Sequence, residues 1–315
     1  MYYFHLCHNV KGDSQKKLID DHSKYRLSKS AYHYITRTLY FSKHKSEVEE
    51  LEYCASYHMP EWVDNHPDQF WYAADKYTSV TRRTSSHITI ALPKELDKNH
   101  RIELSERLMQ EFCGQYEMPC TIAIHNHVAA LDGSSAQPHL HLLFSEKSMM
   151  DNIQRSPEQF FKQHRQKNPD KGGALKITAD VLGLSRNILF HYRTKTEEII
   201  NEFLEKYAPI KMVEIYGIQL EVSNTVSCLS NEDYNKKYGT KLKDVPKIPR
   251  EIFYSANPED QEKVAEYRKL IKEIRQNNLY EIYKKEYVLE LSKKHEQQHE
   301  SNHILEKSDK DDFDL

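Results

Sequence analysis

Glycine is scarce in this sequence, eight in 315 residues. No GxxxxGK[ST] pattern occurs, which rules out a phosphate loop of the nucleotide-triphosphatase kind. Cysteine is sparse too: Cys7, Cys54, Cys113, Cys120 and Cys228 form no CxxC pair. An odd, scattered set points to free thiols in a reducing cytoplasm. No apolar run approaches the length of a membrane span, so no membrane insertion is expected. The opening MYYFHLCHNV is short, alternating and uncharged, and reads as a first strand, not a signal peptide. An excess of positive charge is missing as well: 45 Lys+Arg face 48 Asp+Glu, a net charge of −3. There is no internal repeat.

The charge that is present is unevenly placed. Residues 1–250 hold 34 Lys+Arg against 32 Asp+Glu, a balance of +2, and residues 251–315 hold 11 against 16, or −5. Within the first part, 151–196 holds 9 against 4, or +5. A groove built from that stretch can follow a phosphate backbone, with Lys162, Arg165, Lys167 and Lys171 as the contacts. A solvated charged face accounts for the charge equally well.

Strands are expected at 2–9, 87–93, 121–128 and 137–147, and further strands within 211–222. Helices are expected at 27–41, 68–79, 97–115, 154–168 and 186–207, and helical composition runs from 257 to 300. Residues 10–26 and 131–137 read as loops, and 42–56 as an acidic linker. This order suggests an α+β fold, an antiparallel sheet with helices packed on one face, plus a helical C-terminal extension. The domain reading is 1–207 as one functional domain. The polar, turn-rich stretch 208–256 either completes it or stands apart, and 257–315 is an acidic helical tail with a disordered end.

The chemistry concentrates in QPHLHLLFSEK, residues 137–147. Strand side chains alternate, so His139 and His141 share one face while Leu140, Leu142 and Phe144 take the other. His125 lies near the end of the upstream strand, across a short loop. Three neutral imidazoles brought together this way suit a divalent metal with open positions. His127, two residues after His125, faces the same way; it is a candidate fourth ligand or supporting partner, with a plain loop-edge histidine favoured. On a helical wheel of 27–41, Ala31, Tyr32, Ile35 and Leu39 form the core side, whereas Tyr34 and Arg37 face outward.

Six ordered stretches carry a resemblance: HMPEWV, FWYAADKY, ITIALPKEL, PCTIAIH, PHLHLLFSEK and EKSMMDNIQRSPEQFFKQHRQKNPDKGGALK. They resemble the MobA/MobL family of relaxases, the strand-nicking enzymes of plasmid mobilisation, over roughly residues 1–180. The resemblance implies a relaxase fold and metal-assisted transesterification by a tyrosine, leaving a 5′-phosphotyrosyl DNA adduct that can be rejoined. It implies Mg²⁺ or Mn²⁺ on His125, His139 and His141, although three histidines alone suggest Zn²⁺. AYHYITR looks like the family's catalytic Tyr-Ile-x-Arg segment, which makes Tyr34 the nucleophile and places Arg37 at the DNA; Tyr32 is the runner-up. Where the family usually shows acidic residues before ALP, this chain has His87 and Thr89. His87 is either a hydrogen-bonding support for a ligand or a plain strand residue, with the latter favoured. The segment around Lys171, Gly172 and Gly173 resembles one that approaches DNA.

The implied partners are single-stranded DNA at an origin of transfer, accessory mobilisation proteins and the coupling protein of a secretion apparatus. Three other readings compete: a rolling-circle replication initiator, a non-catalytic DNA-binding protein of relaxase type, and a zinc hydrolase.

Overall fold

The computed structural model describes residues 3–10, 27–44, 49–127 and 136–311, and the chain divides into two compact units, 1–208 with 225–228, and 209–224 with 229–315. The expected loops lie largely outside the described residues, as do 11–26, 131–135 and the last four residues of the expected disordered end.

The first unit is built on a five-stranded antiparallel sheet of β1 (Phe4–Val10), β2 (Glu49–Tyr57), β3 (Arg83–Ala91), β4 (Cys120–His127) and β5 (His139–Phe144), in the order β1-β3-β5-β4-β2. Strand β2 corrects the expectation of a linker. Leu51, Tyr53, Ala55 and Tyr57 alternate with Glu50, Glu52, Cys54 and Ser56, a period-two pattern masked by its acidic residues. The strand sits at the sheet edge, where Glu50 is exposed and Glu52 is held in a buried ion pair with Arg101 at 2.7 Å.

Helices cover both faces, not one. On one side α3 (Lys98–Phe112) and α5 (Ile188–Tyr207) bring Leu104, Leu108, Phe112, Ile199 and Ile200 against Leu140, Leu142, Ile88 and Ile122. On the other, α1 (Ser28–Thr36), α2 (Pro67–Tyr77) and α4 (Pro157–Phe161) bury Ile35, Phe70, Trp71 and Phe160 with Ala123 and Leu143. Burying each such large side chain contributes about 1.5–3 kcal/mol. The two-sided cover was readable in CTIAIHNH, whose first six residues are all buried; a strand covered on both faces reads as a continuous apolar run.

Two helices are shorter than their expected spans. The expected helix at 154–168 ends at Phe161 because Lys162 is extended, and the returning chain crosses it closely. A Cβ on Gly173 would stand 1.9 Å from the Lys162 carbonyl oxygen. The expected helix at 27–41 stops at Thr36, because Arg37 adopts the left-handed conformation (φ 53°, ψ 43°). The N-terminus of α1 has no side-chain cap of its own; Asp75 of α2 accepts the backbone N–H of Ser28 and of Lys29, each at 2.9 Å. The Ser28 hydroxyl also meets those of Thr84 and Ser85 of β3 at 2.8 Å each. Helix α1 is thus held at its first turn by residues of α2 and β3.

The second unit pairs β6 (Lys211–Ile215) with β7 (Ile218–Val222) through a two-residue turn, Tyr216 (φ 49°) and Gly217 (φ 80°). Positive φ at both positions is the turn geometry that matches strand twist, and the second position takes glycine readily. Val213, Ile215, Leu220 and Val222 pack on Leu279, Tyr280 and Tyr283 of a long helix. Helices α6 (Asn231–Tyr238) and α7 (Arg250–Phe253) precede that helix, α8 (Pro258–Asp311). Among the described residues no helix is long and apolar enough to cross a membrane.

Candidate active site

Register brings the three histidines together. His125 of β4 pairs directly with His139 of β5, and directly paired residues share a face; His141 follows His139 by two. Their ligand atoms all lie within 4.8 Å of one another, and the ring centroids of His125 and His141 are 4.6 Å apart. His125 and His141 are buried, while His139 is half-buried and gives the cluster its opening.

Hydrogen bonds orient each ring. Nε2–H of His125 donates to the Ile35 carbonyl at 2.7 Å, and Nδ1–H of His139 donates to the Gln137 carbonyl at 3.1 Å. His141 Nδ1 meets His87 Nε2 at 3.0 Å and the Thr89 hydroxyl at 3.3 Å. His141 Nε2 is buried with no hydrogen-bond partner, an atom whose burial costs free energy unless something binds it. These residues fit a divalent cation: the anchored nitrogens fix the tautomers and leave lone pairs on the opposite nitrogens of His139 and His141. The third lone pair, His125 Nδ1, accepts from Arg37 Nη2 at 3.2 Å, so a cation held by all three rings takes that position from the guanidinium. Burial first, and then the neighbouring His5, His125 and His139, pull His87 down to about 4. Burial also lowers His141, followed by His87, His139, His125 and Arg37. Both rings are therefore neutral at physiological pH, as ligands and acceptors must be.

His87 thus contacts His141, a candidate ligand, directly, where the sequence favours a plain strand residue. It faces Leu143 across β3 and β5, on the histidine side of the sheet.

Helix α1 delivers the tyrosine. The Tyr34 ring lies edge-on to His141 at 5.7 Å and to His125 at 6.0 Å between centroids. Tyr32 packs edge-on to His33 at 5.3 Å, and burial, with Cys54 and Asp68 nearby, pushes its hydroxyl up to about 12. The wheel placed Arg37 outside, but it is only 2% exposed. Its left-handed backbone turns the side chain off the helical wheel, so that Cζ sits 4.5 Å above the Tyr34 ring and Nη1 donates to the Tyr34 carbonyl at 3.0 Å. A non-glycine residue in this conformation costs about 1–2 kcal/mol, offset here by the guanidinium contacts.

Other expected residues are placed differently. His127 is outside the triad's ligand set; its ring packs on His139 at 5.0 Å, and its Nδ1 is buried without a hydrogen-bond partner. Lys162, Arg165, Lys167 and Lys171 are exposed along one segment, with Lys162 paired to Glu158 at 2.9 Å. Gly172 and Gly173 are buried and serve the close chain crossing, because a Cβ on Gly172 would stand 2.5 Å from the Arg165 amide. The carbonyls of Ile35 and Gln137 and the Asp75 clamp carried no signal in the sequence; backbone acceptors have no residue type, and Asp75 is far from Ser28 along the chain.

The sequence model of the MobA/MobL family matches residues 22–214. The chain is 36% identical over 192 residues to the 43 kDa relaxation protein of Salmonella typhimurium, covering 60% of this chain and 50% of that protein. It is also 36% identical over 137 residues to Mobilization protein A of Escherichia coli, covering 44% of this chain and 18% of the relative. The chain therefore spans half or less of the length of these relatives. Among solved structures, one described under the molecular basis of vancomycin resistance transfer in Staphylococcus aureus aligns with a TM-score of 0.43 at 16% identity, over 65% of this chain and 93% of that one. The conjugative relaxase TrwC in complex with oriT DNA, metal-bound, aligns with a TM-score of 0.35 at 11% identity, over 86% and 98%. At scores this low, neither likeness bears on the chemistry of the site. The family match covers more than half of the chain and spans the tyrosine, Arg37 and all three histidines: the chain belongs to the MobA/MobL family.

Proposed function

We propose that the chain is a plasmid mobilisation relaxase, which nicks one DNA strand at an origin of transfer through Tyr34 and can rejoin it. The observation that supports this most is the Tyr34 ring edge-on to His141 and His125, two rings of the triad. The Tyr34 hydroxyl gives up its proton to solvent as its oxygen attacks the scissile phosphorus; an O–P bond forms as the bond to the 3′ oxygen breaks, and the departing 3′ oxygen takes up a proton from solvent. The phosphotyrosyl bond is close in energy to the one broken, so the 3′ hydroxyl can reverse the step. His125, His139 and His141 would hold Mg²⁺ or Mn²⁺. Such an ion polarises a phosphate oxygen and neutralises its charge. Arg37, over the ring, stabilises negative charge developing on the tyrosine oxygen.

The exposed Lys162, Arg165, Lys167 and Lys171 are the proposed backbone contacts of the single strand. Accessory mobilisation proteins and the coupling protein of a secretion apparatus are the proposed partners, met in the cytoplasm. The test is a supercoiled plasmid carrying the cognate origin. The chain should relax it with Mg²⁺ or Mn²⁺ and fail with chelator. Relaxation that is unaffected by chelator, or that leaves no protein on the 5′ end, contradicts the reading.

A further inference from the structure

A cleft of about 260 Å³ opens in the first unit, at the far end of β3 and β5 from the histidines. Four cations line it, Arg82, Arg83, Lys147 and Lys176, against one carboxylate, Glu146, with His164 beside them. Glu146 pairs with Arg83 and with Lys176 at 2.9 Å each, which leaves the lining with three net positive charges. The Lys147 ammonium donates to the carbonyls of Lys162 and Ala174 at 2.7 and 2.9 Å, so it is fixed in place at the wall. Burial first, and then the charges of Lys176, Arg82 and Arg155, bring it down to about 8.

The position of the cleft says what it meets. Ser85 lines it, and Ser85 is four residues from Thr89, the partner of His141. At about 3.3 Å per residue the cleft lies about 13 Å along the sheet from the triad. Residues 85, 87 and 89 share one face, so the Ser85 and Lys147 wall of the cleft is on the triad's side, while Glu146, bonded by Ser86, and its partners Arg83 and Lys176 close the cleft around the end of the sheet. Helix α1 spans the interval, with Ser28 against Ser85 at one end and Tyr34 against His141 at the other. Gln163, His164 and Lys176 reach the cleft from the same segment whose exposed cations are proposed to track a backbone.

We propose that this cleft seats a phosphate group of the DNA strand a few nucleotides from the scissile one, as a second anchor at the opposite end of α1. The inference rests on the reading of the chain as an enzyme of single-stranded DNA. Two fixed anchors on one rigid face hold the strand in register, so that the scissile phosphate meets Tyr34 without a search.

The test uses the full chain and a fluorescent oligothymidylate, which carries phosphates and no origin sequence. Arg82→Gln/Lys176→Gln should weaken binding about tenfold, as the loss of charge-assisted contacts implies. It should also flatten the slope of log K against log salt by about 0.7 for the lost phosphate. Lys195→Gln/Lys206→Gln, which removes equal charge from α5 on the opposite face, should change both far less. Carbon-13 NMR of the Lys147 side chain should show its titration moving upward with oligothymidylate and not with the same concentration of inorganic phosphate. Wild-type affinity and slope in the folded cleft variant, or an equal loss in the α5 control, overturns the inference while leaving the nicking function standing. An equal Lys147 response to inorganic phosphate shows a free-anion site and overturns the strand assignment. A wild-type chain that binds no oligothymidylate fails at the functional reading itself.

Discussion

His87 Nε2 lies 3.0 Å from His141 Nδ1, a histidine supporting a histidine inside the sheet. If His141 offers Nε2 to a cation, its Nδ1–H donates to His87, which must then be neutral and carry its own proton on Nδ1. Acidic residues are usual in the family at this stretch, and a carboxylate in that place accepts the same hydrogen bond with charge. His87→Phe should therefore weaken Mn²⁺ binding by about 10–100-fold, the range for losing such a support. His87→Asp should restore it. Mn²⁺ titration by electron paramagnetic resonance gives both numbers; equal affinity in wild type and His87→Phe removes His87 from the site.

His139→Ala and His141→Ala should abolish nicking in Mg²⁺ or Mn²⁺ and leave the melting temperature near that of wild type. Each removes a proposed ligand, and neither side chain belongs to the apolar core clusters. A plasmid-relaxation assay beside a thermal melt separates loss of chemistry from loss of fold. Wild-type nicking in either variant rejects the metal assignment.

Much of this site was legible because its parts obey short periods. His139 and His141 share a face by strand alternation, and the pairing with β4 follows from two adjacent apolar strands. Arg37 was misplaced because a wheel assumes that the helix continues, and a left-handed residue ends it. Strand β2 was missed because its alternation is written in glutamates and tyrosines at an edge. The helices α1, α2 and α4 were expected, but not on a second face, because each is short and only long-range packing reveals which face it covers.

Arg37 and a cation compete for the lone pair on His125 Nδ1. Arg37→Gln removes a positive charge and a donor from that point. Metal affinity should rise by about tenfold, roughly 1.4 kcal/mol, while nicking falls because charge on the tyrosine oxygen loses its partner. Calorimetry with Mn²⁺ reads the first effect and single-turnover cleavage the second. Unchanged or weaker metal binding contradicts the competition.

Truncation after Cys228 should preserve nicking. Residues 225–228 belong to the first unit: Asn201 bonds the Val226 N–H at 2.8 Å and its carbonyl at 3.1 Å, and Arg193 bonds the Cys228 carbonyl at 2.6 Å. The chain 1–228, like one ending at 256, keeps β6 and β7 but strips them of the α8 residues Leu279, Tyr280 and Tyr283 and exposes their apolar side. It should therefore self-associate more than the full chain on gel filtration, through that hairpin, while keeping wild-type cleavage. Loss of cleavage by a folded 1–228 chain gives the second unit a part in the chemistry.

Tyr34 as the nucleophile is the central claim, and mapping the covalent adduct tests it most directly. Tyr34→Phe keeps the ring against His141 and removes only the oxygen; Tyr32→Phe removes a hydroxyl that burial has already made a poor nucleophile. Wild type and Tyr32→Phe are incubated with the cognate origin strand and Mn²⁺, digested, and the DNA-bearing peptide is sequenced. The account predicts DNA on Tyr34 in both proteins and no adduct at all with Tyr34→Phe. DNA on Tyr32, Tyr40 or another tyrosine, or an adduct that persists in Tyr34→Phe, contradicts it.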